Sequence, residues 1–268
     1  MRALLAQLEP APGDPQANVA ALESAVAAHP DADIALFPEL FLCGYELQRV
    51  QELASPADGE LMERVREVAA GASTAMIVGF AERTPAGAIA NSAACIDADG
   101  ALAGVYRKTH LFGAGEREAF QPGAELLLVS LAGRRVAPLI CFDMEFPEPA
   151  RALCRAGAEL LVTISANMEP YGPDHALAAR ARALENRRPH LYVNRVGTSH
   201  GLKFVGESCA IDQRGQLTLR AGSTERLLEV EVPQTSAAGA DVDYLQHARG
   251  ELPVRAAGVH RGESGETQ

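Results

Sequence analysis

Val136-Ala-Pro-Leu-Ile140 runs directly into Cys141-Phe-Asp-Met-Glu-Phe-Pro-Glu148, and at Cys141 the pattern changes from that of a strand to that of a turn and a helix. An unbroken apolar run suits a strand covered on both faces. The acids and prolines that follow suit a turn and the first turn of a helix, with Pro147 or Pro149 at its start, Glu148 at its positive end and Gly157 closing it. A side chain at such a junction stands at the carboxyl end of a strand, where the next backbone N–H groups are free to meet a developing negative charge. Cys141 is therefore a candidate nucleophile, although a cysteine can equally be a small buried hydrophobe.

Working outward, strand-length apolar runs recur at Ala3–Leu8, Ile34–Phe37, Ala75–Phe80, Ser92–Ile96, Ala101–Tyr106, Leu126–Leu131 and Leu160–Ile164. Several are continuous rather than alternating, which predicts strands buried on both sides. Between them, Asn18–Ala28 places Val19, Leu22 and Val26 on one helical face. Asp58 is placed to cap a helix carrying Leu61, Val65 and Val68, and a longer helix is expected from about Asp174 to Arg188, stopping before Pro189. Asp97-Ala-Asp-Gly100 reads as a hairpin turn. The fold class is α/β, with strand–helix alternation at both ends of the region and hairpins inside it.

The chain has 268 residues, 47% hydrophobic and 22% charged, a globular composition with no linker-like stretch. A formal charge of −11 without a basic cluster argues against nucleic acid as a partner. No segment approaches the roughly 18 consecutive apolar residues of a membrane span, and the amino terminus meets Glu9 and Pro10 too early for a signal peptide, so a cytoplasmic location is expected. Cys43, Cys95, Cys141, Cys154 and Cys209 are widely spaced, with no metal-site or disulfide pattern, and neither a disulfide framework nor a structural metal is expected. From about Gln234 the chain becomes rich in Ala, Gly and charge, and a frayed tail is expected after Gly258. The segment Val242–Leu245 keeps Val, Tyr and Leu and is expected to dock, another subunit being one candidate surface.

A thiol needs a base and something polar or cationic for the oxyanion. Of seven histidines only His110 lies in a motif-like setting, and it reads as a structural residue of its loop. Carboxylates and a lysine make the stronger case. Glu39 follows the apolar run Ile34–Phe37 among Leu40, Phe41 and Leu42. There it would be partly desolvated and suited to act as a general base, or would face water at a helix start. Lys108 follows another strand end in a chain poor in lysine, where its compact ammonium could stabilise an oxyanion.

Phe37-Pro-Glu-Leu-Phe-Leu-Cys-Gly-Tyr45, Tyr106-Arg-Lys-Thr-His-Leu-Phe112, Phe120-Gln-Pro-Gly123 and Ile140-Cys-Phe-Asp-Met-Glu-Phe-Pro-Glu148 resemble, in order, the motifs of the nitrilase (carbon–nitrogen hydrolase) superfamily. The resemblance implies a four-layer α-β-β-α sandwich spanning residues 1–245, followed by a tail at 246–268, and a homodimer. By motif position it implies Glu39 as general base, Lys108 as oxyanion stabiliser and Cys141 as nucleophile, a chemistry for which no metal or organic cofactor is expected. Glu116 corresponds to a second glutamate that positions Lys108, with Glu118 as the alternative.

Cys141–Glu148 together with Ala166-Asn-Met-Glu-Pro-Tyr171 resembles the aliphatic amidase branch that includes 5-aminopentanamidase and R-stereoselective amidases. A small-molecule amide is then the expected substrate. Tyr45, Phe142, Glu145, Asn167, Met168 and Tyr171 are the expected substrate-binding residues. Glu145 could hold a distal ammonium or be a structural hydrogen-bond partner, and Glu169 is a second candidate for that ammonium. N-carbamoyl amine or amino-acid hydrolysis, nitrilase activity and a non-catalytic binding protein on the same fold are the alternatives.

Overall fold

The computed structural model of the protein describes residues 1–233 and 244–249. The first half of the chain contains β1 (Arg2–Gln7), α1 (Pro15–Ala27), β2 (Ile34–Leu36), the short α2 (Val50–Leu53), α3 (Glu60–Ala72), β3 (Ala75–Arg83), β4 (Ile89–Ile96), β5 (Leu102–Arg107) and α4 (Gly113–Ala119). The second contains β6 (Val129–Leu131), β7 (Arg134–Ile140), α5 (Pro147–Arg155), β8 (Leu160–Ser165), α6 (Gly172–Asn186), β9 (His190–Asn194), β10 (Val196–Ser199), β11 (Leu202–Val205), β12 (Cys209–Ile211), β13 (Leu217–Arg220), β14 (Arg226–Glu231) and α7 (Tyr244–His247).

Two six-stranded sheets result, ordered β14-β1-β2-β3-β4-β5 and β13-β12-β9-β8-β7-β6. Their central strands pair in parallel, with Ala3 opposite Ile34 in one sheet and Val136 opposite Leu160 in the other. Alternation along each strand explains the continuous apolar runs. Ala3, Leu5, Ile34, Leu36, Val136, Ile140, Val162 and Ile164 meet between the two sheets. Leu4, Ala35, Met76 and Val78 point the other way, onto Val19 and Leu22 of α1 and Val65 of α3. Ala137, Leu139 and Leu161 face α5. The arrangement is helices, sheet, sheet, helices: the expected α-β-β-α sandwich.

Several local expectations are corrected. Asp58 does not cap α3, because Gly59 occupies the N-cap position and no side-chain bond is made there. Helix α6 begins at Gly172 with Pro173 in its first turn and ends where Arg187 takes a left-handed backbone conformation. The strand expected over Leu126–Leu131 is shortened to Val129–Leu131, since only that part pairs with β7. The five strands after β9 are short or half-exposed, and their apolar patterning is too brief to read. Leu245 packs against the apolar cluster that α5 shares with β7 and β8, and Arg187 lies over the Tyr244 ring, so these residues dock on their own chain. The frayed tail expected after Gly258 lies outside the described residues. Among the described residues no helix is long and apolar enough to cross a membrane.

Candidate active site

Four strand ends of the two sheets converge. Glu39 sits in the turn after β2, Lys108 just past β5, Cys141 just past β7, and Ser165 to Asn167 at the end of β8. In open parallel sheets this carboxyl edge is where ligands bind.

Glu39 is 1% exposed. Its Oε1 accepts from Lys108 Nζ at 2.6 Å and from Asn91 Nδ2 at 2.7 Å, and its Oε2 accepts from the Ala166 amide at 2.7 Å. The helix-start, water-facing alternative is thereby excluded. The turn is seated on β3, where Leu42 N–H donates to the Gly79 carbonyl at 3.1 Å. Gly79 is needed because a Cβ there would lie 2.3 Å from the Pro38 oxygen and 2.7 Å from Glu39 Cα.

Lys108 is fully buried and also donates to Glu116 at 2.9 Å. Burial alone would lower its proton affinity, but Glu116 and Glu39 outweigh it and hold the ammonium well above its ordinary pKa. Glu116, near the middle of α4, accepts from Tyr45 Oη and from the Phe112 amide, each at 2.9 Å. Burial raises its pKa, opposed by Lys108. Glu118 is exposed, so Glu116 is the glutamate that meets Lys108. Tyr45 is thus bonded into the carboxylate cluster rather than simply lining a pocket.

Cys141 has a left-handed backbone, with φ of +47°, at the first residue of a tight helical turn through Glu145. Such a conformation costs a non-glycine residue on the order of 1–2 kcal/mol. Asp143, which the sequence reading passed over, holds the turn in place. Its Oδ2 accepts from the Ile140 amide at 3.2 Å and Tyr106 Oη at 2.8 Å. Its Oδ1 accepts from Thr109 Oγ1 at 2.7 Å and the His110 amide at 2.8 Å. One carboxylate thus ties the Lys108 loop to the Cys141 turn. His110 is structural, as expected: its ring lies 2.9 Å from Asp143 Oδ1, which raises its pKa, and stacks on Phe146. The Cys141 thiol is held well above its ordinary pKa, first by burial and then by the Glu39 charge, with Lys108 opposing.

A tight cavity of only about 10 Å³ opens on Cys141 and is lined by Phe112, Phe142, Glu145, Asn167, Met168, Tyr171 and His175. All the expected substrate-binding residues except Tyr45 meet here. Phe112 and His175 are additions that the sequence reading missed; Phe112 lay inside a quoted motif, but nothing in the local pattern marked His175. Glu169 is not in the cavity and forms an exposed pair with Lys203 at 2.5 Å, because the turn beginning there carries it outward. Glu145 does line it, with Oε1 at 3.1 Å from His175 Nε2. A roomier groove borders the far side of His175, between α6 and β13, but Cys141 does not open into it.

Comparison with known proteins agrees with this geometry. The carbon-nitrogen hydrolase family model matches residues 2–240. An (R)-stereoselective amidase of Pseudomonas sp. is 37% identical over 254 residues, covering 93% of this chain and 92% of that protein. An omega-amidase of Xenopus tropicalis is 30% identical, covering 85% and 84%. Among solved structures, an amidase from Nesterenkonia sp. AN1 superposes with a TM-score of 0.84 at 31% identity, covering 93% of this chain and 94% of that one. That structure is of a glutamate-to-glutamine mutant and shows the acetamide moiety of fluoroacetamide added covalently at the active-site cysteine. A strand-end cysteine beside a buried Glu–Lys–Glu cluster, on a sandwich matched over nearly its whole length, places the chain in the carbon-nitrogen hydrolase family of the nitrilase superfamily.

Proposed function

We propose that the protein hydrolyses a small aliphatic primary amide to a carboxylate and ammonia through a thioester on Cys141. The observation that carries this reading is the buried cluster of Glu39, Lys108 and Glu116 gathered at the strand ends with Cys141. Hydrogen-bond capacity assigns the roles. A carboxylate has about four acceptor sites, and Glu39 has three occupied, by Lys108, Asn91 and Ala166. The remaining site on Oε2 is available for the thiol proton.

Lys108 has three N–H donors, of which Glu39 and Glu116 take two. The third, with the Phe142 amide at the start of the tight turn, is directed to the oxyanion. As sulfur attacks the amide carbon, Glu39 takes the thiol proton and then returns it to the departing ammonia. Water activated by the same carboxylate cleaves the thioester. Glu116, braced by Tyr45 and the Phe112 amide, keeps the lysine charged and in place.

The polar groups that line the cavity support a small polar substrate. Asn167 Nδ2 is buried without a hydrogen-bond partner and can donate to it. Glu145 gives one oxygen to His175 and leaves the other for a distal ammonium, which supports an ω-amino amide such as 5-aminopentanamide.

The test is ammonia release from 5-aminopentanamide and butyramide, with intact-protein mass spectrometry for the thioester. Cys141→Ala should lower turnover roughly a thousandfold or more and abolish the adduct. Carbon dioxide release from N-carbamoylputrescine without turnover of either amide would transfer the assignment to the carbamoyl branch. Inertness across both sets, with no adduct, would favour a binding protein.

A further inference from the structure

We propose that Asn91 is a positioning residue for the general base: its side-chain amide closes Oε1 of Glu39, so that the proton taken from the nucleophile is carried on Oε2 alone. The inference rests on the reading that Glu39 receives the thiol proton of Cys141. It adds which oxygen receives that proton and which residue decides it.

Asn91 lies near the start of β4 and is fully buried. It meets both members of the Glu39–Lys108 pair. Its backbone carbonyl accepts from the Lys108 amide at 2.8 Å, and its Nδ2 donates to Glu39 Oε1 at 2.7 Å. Successive side chains of a strand point to opposite faces, so Ser92 turns the other way, to the Glu82 carboxylate that Arg107 also holds.

Hydrogen-bond capacity gives the Asn91 bond its meaning. Each carboxylate oxygen accepts at about two sites. On Oε1 both are filled, by Lys108 Nζ and Asn91 Nδ2, whereas on Oε2 the Ala166 amide fills one and the other is open. Proton transfer breaks the S–H bond, leaves its electron pair on sulfur and forms an O–H bond on Oε2. Without the Asn91 donor, Oε1 would also offer an open site, and the proton could rest on the oxygen that binds the Lys108 ammonium. A protonated oxygen accepts more weakly, so the lysine that serves the oxyanion would be loosened in the same step. The bond also fixes the carboxylate plane, which is tied to β4 and to the ends of β5 and β8 together.

The amide has one workable orientation. Turned over, Oδ1 would sit against Glu39 Oε1, two acceptors in contact. As it stands, Nδ2 is used while Oδ1 is buried with no hydrogen-bond partner among the described residues. An unpaired buried carbonyl oxygen costs stability, and a side chain that only packed β4 would be better apolar. The donor accounts for the amide. The other charged or titratable groups around Glu39 are Lys108 after β5, Glu116 on α4, Tyr45 on its own turn, Cys141 after β7 and Arg195 after β9.

The test follows ammonia release from butyramide and Cys141 alkylation by iodoacetamide from about pH 5 to 9 in the wild type, Asn91→Leu and Asn91→Asp, with thermal melts of each. Both variants keep the backbone bond to Lys108. Asn91→Leu removes the donor at every pH and should lower kcat about thirtyfold, with KM changed less than about threefold. In Asn91→Asp the introduced carboxyl donates to Oε1 only while it holds a proton, and two carboxyls in contact retain a shared proton to higher pH than either alone. Relative to the wild type at the same pH, Asn91→Asp should therefore exceed Asn91→Leu about tenfold at the acid end and lose that advantage as pH rises. Asn91→Asp tracking Asn91→Leu at every pH, in proteins with matching melts, would show a packing role and overturn the proposal, as would Asn91→Leu turnover within about twofold of the wild type. If Asn91→Leu does not fold, Asn91→Asp, of the same size, carries the comparison between the acid and alkaline ends of its own profile. The two readings fail separately. A wild type that labels at Cys141 but turns over no amide removes the amidase reading, and the labelling ratios then decide this one; an active amidase indifferent to Asn91→Leu removes this one alone.

Discussion

Asp143 never needs to touch a substrate to matter, because its two oxygens collect donors from both halves of the site. Tyr106 and the Ile140 amide bond to one oxygen, and Thr109 and His110 to the other. Replacing it by asparagine keeps the shape but turns an NH2 group toward donors, leaving at least one buried polar group unsatisfied at about 1–3 kcal/mol. Asp143→Asn is therefore expected to lower the melting temperature and to reduce kcat on an amide by about ten- to a hundredfold with little change in KM. A kcat that survived alongside a fallen melting temperature would mean that Asp143 contributes only to folding. Glu39, Lys108 and Cys141 were legible in the sequence as candidates because each follows an apolar run, whereas Glu116 was reached only through the resemblance of the motifs. Asp143 was not, because its role lies in contacts to Tyr106, Thr109 and His110 more than thirty positions away.

At the scale of elements, β3 is a template for the Glu39 turn. The Phe37 amide bonds to the Ile77 carbonyl and the Leu42 amide to the Gly79 carbonyl, so the turn rests directly on the strand. A methyl group at position 79 would press on the backbone of Pro38, Glu39 and Leu40, atoms that cannot swing aside as a flexible side chain can. Gly79→Ala is expected to destabilise the protein by about 1–3 kcal/mol and to lower activity at least tenfold. Kinetics on protein shown to be folded by circular dichroism would check it; full activity would mean that the turn relaxes without moving the carboxylate. The sequence showed Gly79 only as an interruption in an apolar run. Its reason is the backbone crossing above it, which exists only once β2 and β3 pair.

For the whole molecule, the layer between the second sheet and α6 carries a titratable group whose burial couples folding to pH. His190, on β9, is fully buried and held neutral, its Nδ1 at 3.0 Å from the Ala179 carbonyl and its Nε2 at 2.8 Å from Thr163 Oγ1. Burial lowers its pKa to about 4. A depressed folded pKa means that the associated stability is complete above the unfolded value of about 6.5 and is lost as pH falls toward about 4, because the unfolded chain takes up the proton first. Denaturant titrations across that window should show a loss of about 3 kcal/mol attributable to this group, and His190→Gln should flatten the slope there. An equally steep slope in the variant would assign the acid sensitivity to other residues.

The sequence by itself carried the α/β pattern and, through the resemblance of its motifs, the sandwich architecture and the candidate reacting groups. Strands covered on both faces require apolar side chains at every position, and strand ends that enter turns expose whatever residue comes next, so both leave local marks. Glu39, Lys108 and Cys141 could be read because their neighbours in the chain announce the strand ends. Only the tertiary structure decided what surrounds them. It selected Glu116 over Glu118, turned Glu169 out to Lys203, brought Glu145 to His175, and joined Tyr192 to both Ser165 and His175. These are pairings between strands and helices far apart in sequence, and a local pattern carries no record of which distant side chain will meet it across a sheet.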